Sequence, residues 1–162
     1  MSSTQPTLSL KPWTSSEVQF WSIVYIQAKR ETVFRHLVDG SLTREYYFGM
    51  PISNPTAVGQ EMWFGESRGE AAIVGKVTEF QFPEEFCHTF GFPSSDEPET
   101  LVEFRLLEKT PDLTILTIRH SGFASRGSEV FLAISEGWPC ILSNLKTLLE
   151  TGQALRLTGD GK

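Results

Sequence analysis

The chain has 162 residues, enough for one core, with 14 Lys plus Arg against 20 Asp plus Glu and a formal net charge of −6. That balance, with no basic block, disfavours nucleic acid and acidic membrane surfaces, partners whose phosphates call for neutralising cations. Cys87 and Cys140 stand far apart without metal-ligand spacing, and no apolar run reaches the roughly 18 residues of a membrane span, so a soluble, cytoplasmic protein with free thiols is expected.

Residues 1–17 are rich in Ser, Thr and Pro and lack a sustained period, which predicts a loose arm; one domain over 18–156 and a tail over 157–162 follow. The run Phe20-Trp21-Ser22-Ile23-Val24-Tyr25-Ile26 reads as a strand with large residues on both faces, so both faces need cover. Val33, Phe34, Leu37 and Val38 then predict an amphipathic helix over 31–38, stopped by Asp39-Gly40. A second short helix is expected, with Ser41 as its cap, Leu42 and Tyr46 on one face, and Gly49 and Pro51 ending it. Residues 54–58 read as loop.

Five further strands are predicted over 59–64, 71–82, 86–92, 100–108 and 113–122. Residues 65–70 read as a solvated hairpin turn and 93–98 as a longer exposed connection. Lys109-Thr110-Pro111-Asp112 has hairpin-turn chemistry, because Pro presets φ and Asp bonds its own backbone. The last helix, over 128–152, carries Trp138, Ile141, Leu142, Leu145, Leu148 and Leu149 at helical spacing, one broad apolar face for a sheet to grip. Pro139 has two readings, a kink or restart inside that helix or a place in its first turn. The order β-α-α-β-β-β-β-β-α makes this an α+β chain.

Residues two apart on a strand share a side, so Val102, Phe104 and Leu106 face the helix, as do Leu116, Ile118 and His120, and the set Phe86, His88, Phe90 and Phe92. His88 and His120 thus lie on apolar inward faces. They read as core histidines bonded to a neighbouring hydroxyl, carbonyl or water, with ligand contact as the functional alternative. Burial of His120 among Leu116, Ile118 and Trp138 predicts a pKa below the ordinary value of about 6.5. Neither histidine has a sequence-local partner for a catalytic triad, and three His with two Cys, all dispersed, give no basis for a metal or cofactor. Tyr46, Phe48, Trp63 and Trp138 read either as an aromatic cage or as core and rim packing, with Met62 and Phe64 competing against Trp63 for the inward face.

Several segments, taken in order, carry a resemblance: Tyr25-Ile26 into Val33-Phe34-Arg35-His36-Leu37; Thr43-Arg44-Glu45-Tyr46-Tyr47-Phe48-Gly49; Gly75-Lys76-Val77-Thr78-Glu79-Phe80 with Phe86 and Thr89-Phe90; His120-Ser121-Gly122-Phe123; and Glu136-Gly137-Trp138, Leu142, Leu145-Lys146 and Leu149-Glu150-Thr151-Gly152. Over residues 20–155 the chain resembles the helix-grip superfamily, also called START-like or SRPBCC, and within it the group related to the activator of Hsp90 ATPase homologue 1. The resemblance implies a curved antiparallel sheet around the long C-terminal helix, a pocket for apolar small molecules and no common catalytic set. The departure is at the N-terminus: the eukaryotic Hsp90 activator has a further domain ahead of this one, whereas here only a short arm is expected before the first strand, which speaks against direct ATPase activation.

A dry cavity of about 300 Å³ at roughly 24 cal/mol per Å³ costs about 7 kcal/mol. A whole domain is stable by only roughly 5–15 kcal/mol. A large pocket must therefore hold water or ligand, or be filled by side chains, and twelve Phe with four Trp suffice to fill one. The leading expectation is non-enzymatic binding of an apolar or aromatic small molecule by Tyr46, Phe48, Trp63, His88, Phe90, Phe104, His120, Trp138 and Leu142. The alternatives are a co-chaperone-like module with a chaperone as partner, and a cyclase- or hydrolase-type enzyme using His88 or His120 as general base. The residues specify neither the ligand nor the oligomeric state.

Overall fold

Inward sets spaced two residues apart in three consecutive segments build the centre of the protein, a computed structural model of which describes residues 18–157. The arm over 1–17 and the tail from residue 158 onward lie outside the described residues. In chain order the elements are β1 (Gln19–Ile26), α1 (Arg30–Val38), α2 (Gly40–Tyr46), β2 (Glu61–Phe64), a 3-10 turn (Arg68–Glu70), β3 (Ile73–Gln81), β4 (Glu85–Phe90), β5 (Thr100–Thr110), β6 (Leu113–Ser121) and α3 (Glu129–Thr151). Six strands form one antiparallel sheet in the order β1-β6-β5-β4-β3-β2. Strands β2 to β6 are a meander, while β1 joins it beside β6, so β1 and β2 occupy opposite edges and α1 with α2 carries the chain from one to the other.

Register places the inward sets side by side. Phe86 pairs with Phe104 and His88 with Val102; Val102 in turn pairs with His120, Phe104 with Ile118 and Leu106 with Leu116. All of these side chains are buried. The hairpin between β5 and β6 closes on a Thr110–Leu113 pair, leaving Pro111 and Asp112 as the turn, as their chemistry predicts.

Helix α3 lies across the inner face. Ser128 caps it, its Oγ accepting from the Phe131 amide at 2.9 Å. Gly152 ends it in the left-handed conformation at φ 82°. Val130, Ile134, Trp138, Ile141, Leu142, Leu145 and Leu148 are its buried stripe. Near its end Lys146 Nζ donates to the Tyr25 carbonyl (2.5 Å) and Glu150 Oε2 accepts the Gln27 amide (3.0 Å), so the helix clasps the C-terminal end of edge strand β1. Buried Asn144 donates from Nδ2 to the Tyr46 carbonyl and accepts the Leu155 amide on Oδ1, fastening α2 and the chain beyond α3 to the same helix. No helix among the described residues is long and apolar enough to cross a membrane.

Several boundaries differ from expectation for identifiable reasons. Asp39, not Ser41, caps α2: its Oδ1 accepts both the Ser41 amide (2.9 Å) and the Ser41 hydroxyl (2.7 Å), so Ser41 serves as donor inside the helix. The buried face of α2 accordingly carries Thr43 with Tyr46, while Leu42 is half-buried. Thr43 Oγ1 donates to the Met50 carbonyl (3.1 Å) and accepts the Ile52 amide (2.8 Å), which locks the loop after the helix. Strand β2 begins at Glu61 rather than at residue 59, because Gly59 holds φ 90°. The connection after β2 contains the 3-10 turn where a plain hairpin turn was expected. Pro139 is inside α3, which continues through it without a restart; the first-turn reading fails because Glu129 opens the helix ten residues earlier.

Candidate ligand-binding site

The space beneath the middle of α3 is filled with rings. Trp138, only 1% exposed, meets Phe104 edge-on at 5.7 Å and Tyr47 edge-on at 5.8 Å. Phe104 stacks on Phe86 (6.3 Å), and Tyr47 stacks on Phe64 (4.3 Å). These offset and edge-on contacts suit the quadrupoles of the rings and leave no large void.

Within this packing runs a short polar chain. The Trp138 indole Nε1–H donates to His120 Nδ1 at 2.9 Å. Because indole nitrogen is only a donor, Nδ1 is the bare nitrogen and the ring proton sits on Nε2. Nε2–H then donates to Thr100 Oγ1 at 2.6 Å, and the threonine hydroxyl donates to the Phe90 carbonyl at 3.0 Å. Both nitrogens of His120 are thereby taken by protein partners, which leaves no lone pair to accept a substrate proton. Burial, and secondarily the neighbouring His88, pushes its pKa down to about 3.

His88 is held differently. Its Nδ1–H donates to the Thr89 carbonyl at 2.7 Å, and Phe64, Phe86, Phe90 and Phe104 surround the ring. Burial lowers its pKa to about 4, against a smaller opposing effect of the Thr89 bond. Both histidines are therefore neutral at pH 7.

Space remains beside this packing, under residues 133–141 of α3. A cavity of about 110 Å³ lies between the loop after α2, strands β3 and β4, and the first half of the helix. Its wall comprises Tyr47, Phe48, Met50, Ile73, Phe90, Phe92, Ala133, Ile134, Gly137, Trp138 and Ile141. None of these residues carries an ionisable group except the Tyr47 phenol, whose pKa burial raises well above the ordinary tyrosine range. The wall selects for apolar surface, with the Tyr47 phenol as its one titratable group.

The nine candidates of the sequence reading separate accordingly. Phe48, Phe90 and Trp138 line the cavity. His88, His120 and Phe104 belong to the filled interior. Tyr46 is buried in α2, with its hydroxyl donating to the His36 carbonyl at 2.5 Å, and it is Tyr47, the next residue, that reaches the cavity. Leu142 faces a shallow groove of about 300 Å³ between α3 and β1. Trp63 is half-buried and alternates with the buried Met62 and Phe64, which puts it on the opposite side of β2. Sequence reasoning put Phe92 on the inward side but did not count it, Met50, Ala133 or Gly137 among the ligand-binding residues, although Ala133 and Gly137 stand four apart on one helix face, as do Ile134 and Trp138.

A wider, open groove of about 760 Å³ lies between residues 92–98 and the start of α3 and carries Asp96, Glu97 and Glu129. Glu97 already accepts the Val130 amide there at 3.0 Å, which caps the helix from outside.

Comparison with known proteins agrees with this architecture. The family model described as activator of Hsp90 ATPase homolog 1-like protein matches residues 27–150. An Hsp90 activator from Plasmodium falciparum is similar at 17% identity over 82% of this chain and 96% of that one, with a TM-score of 0.69. The Aha1 dimer from Colwellia psychrerythraea is similar at 21% identity over 85% and 99%, with a TM-score of 0.69. A protein from Mesorhizobium loti is similar at 20% identity over 82% and 97%, with a TM-score of 0.71. At such identities the likeness is one of fold. No curated protein matches the chain.

Proposed function

The chain belongs to the activator of Hsp90 ATPase homolog 1-like family, and from the cavity between its sheet and α3 we propose that it binds a small apolar or aromatic molecule without altering it chemically. The supporting observation is the apolar wall of that cavity, to which Tyr47, Phe48, Phe90, Phe92 and Trp138 contribute five rings. Its volume of about 110 Å³ is below the roughly 300 Å³ at which drug-sized pockets begin. A larger cavity, of about 150 Å³, is known to take up benzene, so the guest is no bigger than a single ring or a short aliphatic group.

The Trp138 indole proton, fixed on His120, is a reporter of occupancy. Titration with toluene should shift the Trp138 Nε1–H and the Ile73 and Ile134 methyl resonances together, with saturation. Absence of any such shift for toluene, indole and short-chain alcohols alike would remove the ligand reading.

A chaperone as partner is a second reading, and family membership is its support. If it holds, stoichiometric amounts of the chain raise the ATPase rate of the Hsp90 homologue from the same cell, and an unchanged rate dismisses it.

A further inference from the structure

The cavity wall divides by depth. Ile73, Ile134 and Trp138 are buried and form the floor, whereas Phe48 and Ala133 are exposed and Gly137 is half-buried, so these three mark the mouth. Phe48 is 51% exposed while still lining the cavity. Its backbone has φ 51° and that of Gly49 has φ 75°. A bulky residue in the left-handed region is uncommon and is held there by its surroundings. The reversal it makes follows directly on Tyr47, the C-cap of α2, and sets the Phe48 ring on the rim.

On the opposite rim the helix is notched. Ala133 and Gly137 are four residues apart and share a face. A Cβ added at Gly137 meets no atom within 4 Å, so the space in front of it is open.

We propose that Phe48 and the missing side chain at residue 137 together set the bulk of the guest, admitting one ring between them and refusing two fused rings. This rests on the cavity being a ligand site and adds its selectivity. Phe48 narrows the mouth from the loop side, and Gly137 keeps it passable from the helix side. The two residues act in opposite senses, so substituting them has opposite effects: truncating Phe48 widens the mouth, and adding a side chain at 137 closes it.

The test uses 4-fluorotoluene and 1-fluoronaphthalene, followed by fluorine NMR line broadening, on the whole chain and three variants. The unsubstituted protein should bind the single-ring probe at least about tenfold tighter than the fused-ring probe, the scale of discrimination an apolar pocket gives. Phe48→Ala should bring the two probes to comparable affinity. Gly137→Leu should weaken 4-fluorotoluene by about tenfold or more. Gly137→Ala keeps the proposal testable if the leucine variant folds poorly, because Gly to Ala inside a helix ordinarily raises stability. It should melt no lower than the parent yet bind the single-ring probe more weakly. If the parent binds 4-fluorotoluene but all three variants retain its affinity and selectivity, the size gate is wrong and the cavity reading stands. If neither probe binds any of the four proteins, both readings fall.

Discussion

The two ends of the Trp138 ring face opposite kinds of interior. On one side Trp138, His120, Thr100 and the Phe90 carbonyl form a hydrogen-bonded chain in which every polar atom has a partner and no space is left. On the other side the same ring borders a space of about 110 Å³ with an apolar wall. The filled side fixes the position of α3 on the sheet through directional bonds in a low-dielectric setting, where an orphaned group is costly. The empty side makes no such demand and tolerates a gap. One residue thus serves as anchor and as cavity wall, and the comparison can be broken from either side.

The largest effect is expected at Trp138 itself. Trp138→Ala should lose about 3–5 kcal/mol from the cavity left behind and about 1–3 kcal/mol more because His120 Nδ1 loses its donor. Urea unfolding measures the sum; a loss below about 2 kcal/mol would mean that the core collapses around the gap and that the anchor is weak.

Acid should attack the filled side next. The folded protein keeps His88 and His120 neutral with pKa values of about 4 and about 3, while in the unfolded chain each titrates near about 6.5. Below about pH 6.5 the unfolded state therefore binds protons that the folded state refuses, so stability is complete above that pH and falls as pH is lowered toward the folded values. Between pH 7.5 and 5 the two histidines together should cost on the order of 4 kcal/mol. Replacing either one by a neutral residue should roughly halve the slope, provided the variant folds; an unchanged slope would assign the acid sensitivity to other groups.

The smallest of the three effects is at Thr100. Thr100→Val removes the acceptor of His120 Nε2–H and the donor to the Phe90 carbonyl, with an expected loss of about 1–3 kcal/mol. It should leave toluene-induced shifts at Ile73 and Ile134 in place, because the hydroxyl belongs to the filled side alone. Loss of those shifts would show that the two sides are not separable.

Much of the fold could be read from residue order, and for a physical reason. In β4, β5 and β6 the inward set recurs at every second residue, and a one-residue slip would have sent Phe104 and His120 to the other face of the sheet. The ends of α3 are written locally, by Ser128 and Gly152. The inward placement of both histidines followed from the same alternation. The cavity was not legible in this way, because it is the volume left over when side chains from the loop after α2, two strands and α3 have been packed, and no local pattern encodes a remainder. Tyr46 was chosen over Tyr47 because a helical period was extended to the helix end, whereas at Tyr47 the backbone has already left the helix, with ψ 60°. The Asp39 cap was missed for a similar reason: the residue ends α1 and opens α2, and only the first of these roles was assigned.

The placement of β1 has a consequence for how the protein is made. Phe20 pairs with His120, a hundred positions later, and every other rung of that ladder is comparably remote. Strands β2 to β6 can zip in turn as each emerges during synthesis, but β1 must wait until β6 exists before its backbone has a mate. Its sequence, Gln-Phe-Trp-Ser-Ile-Val-Tyr-Ile, carries no charge to discourage other company meanwhile. The first of these six strands to be made is thus among the last to be seated.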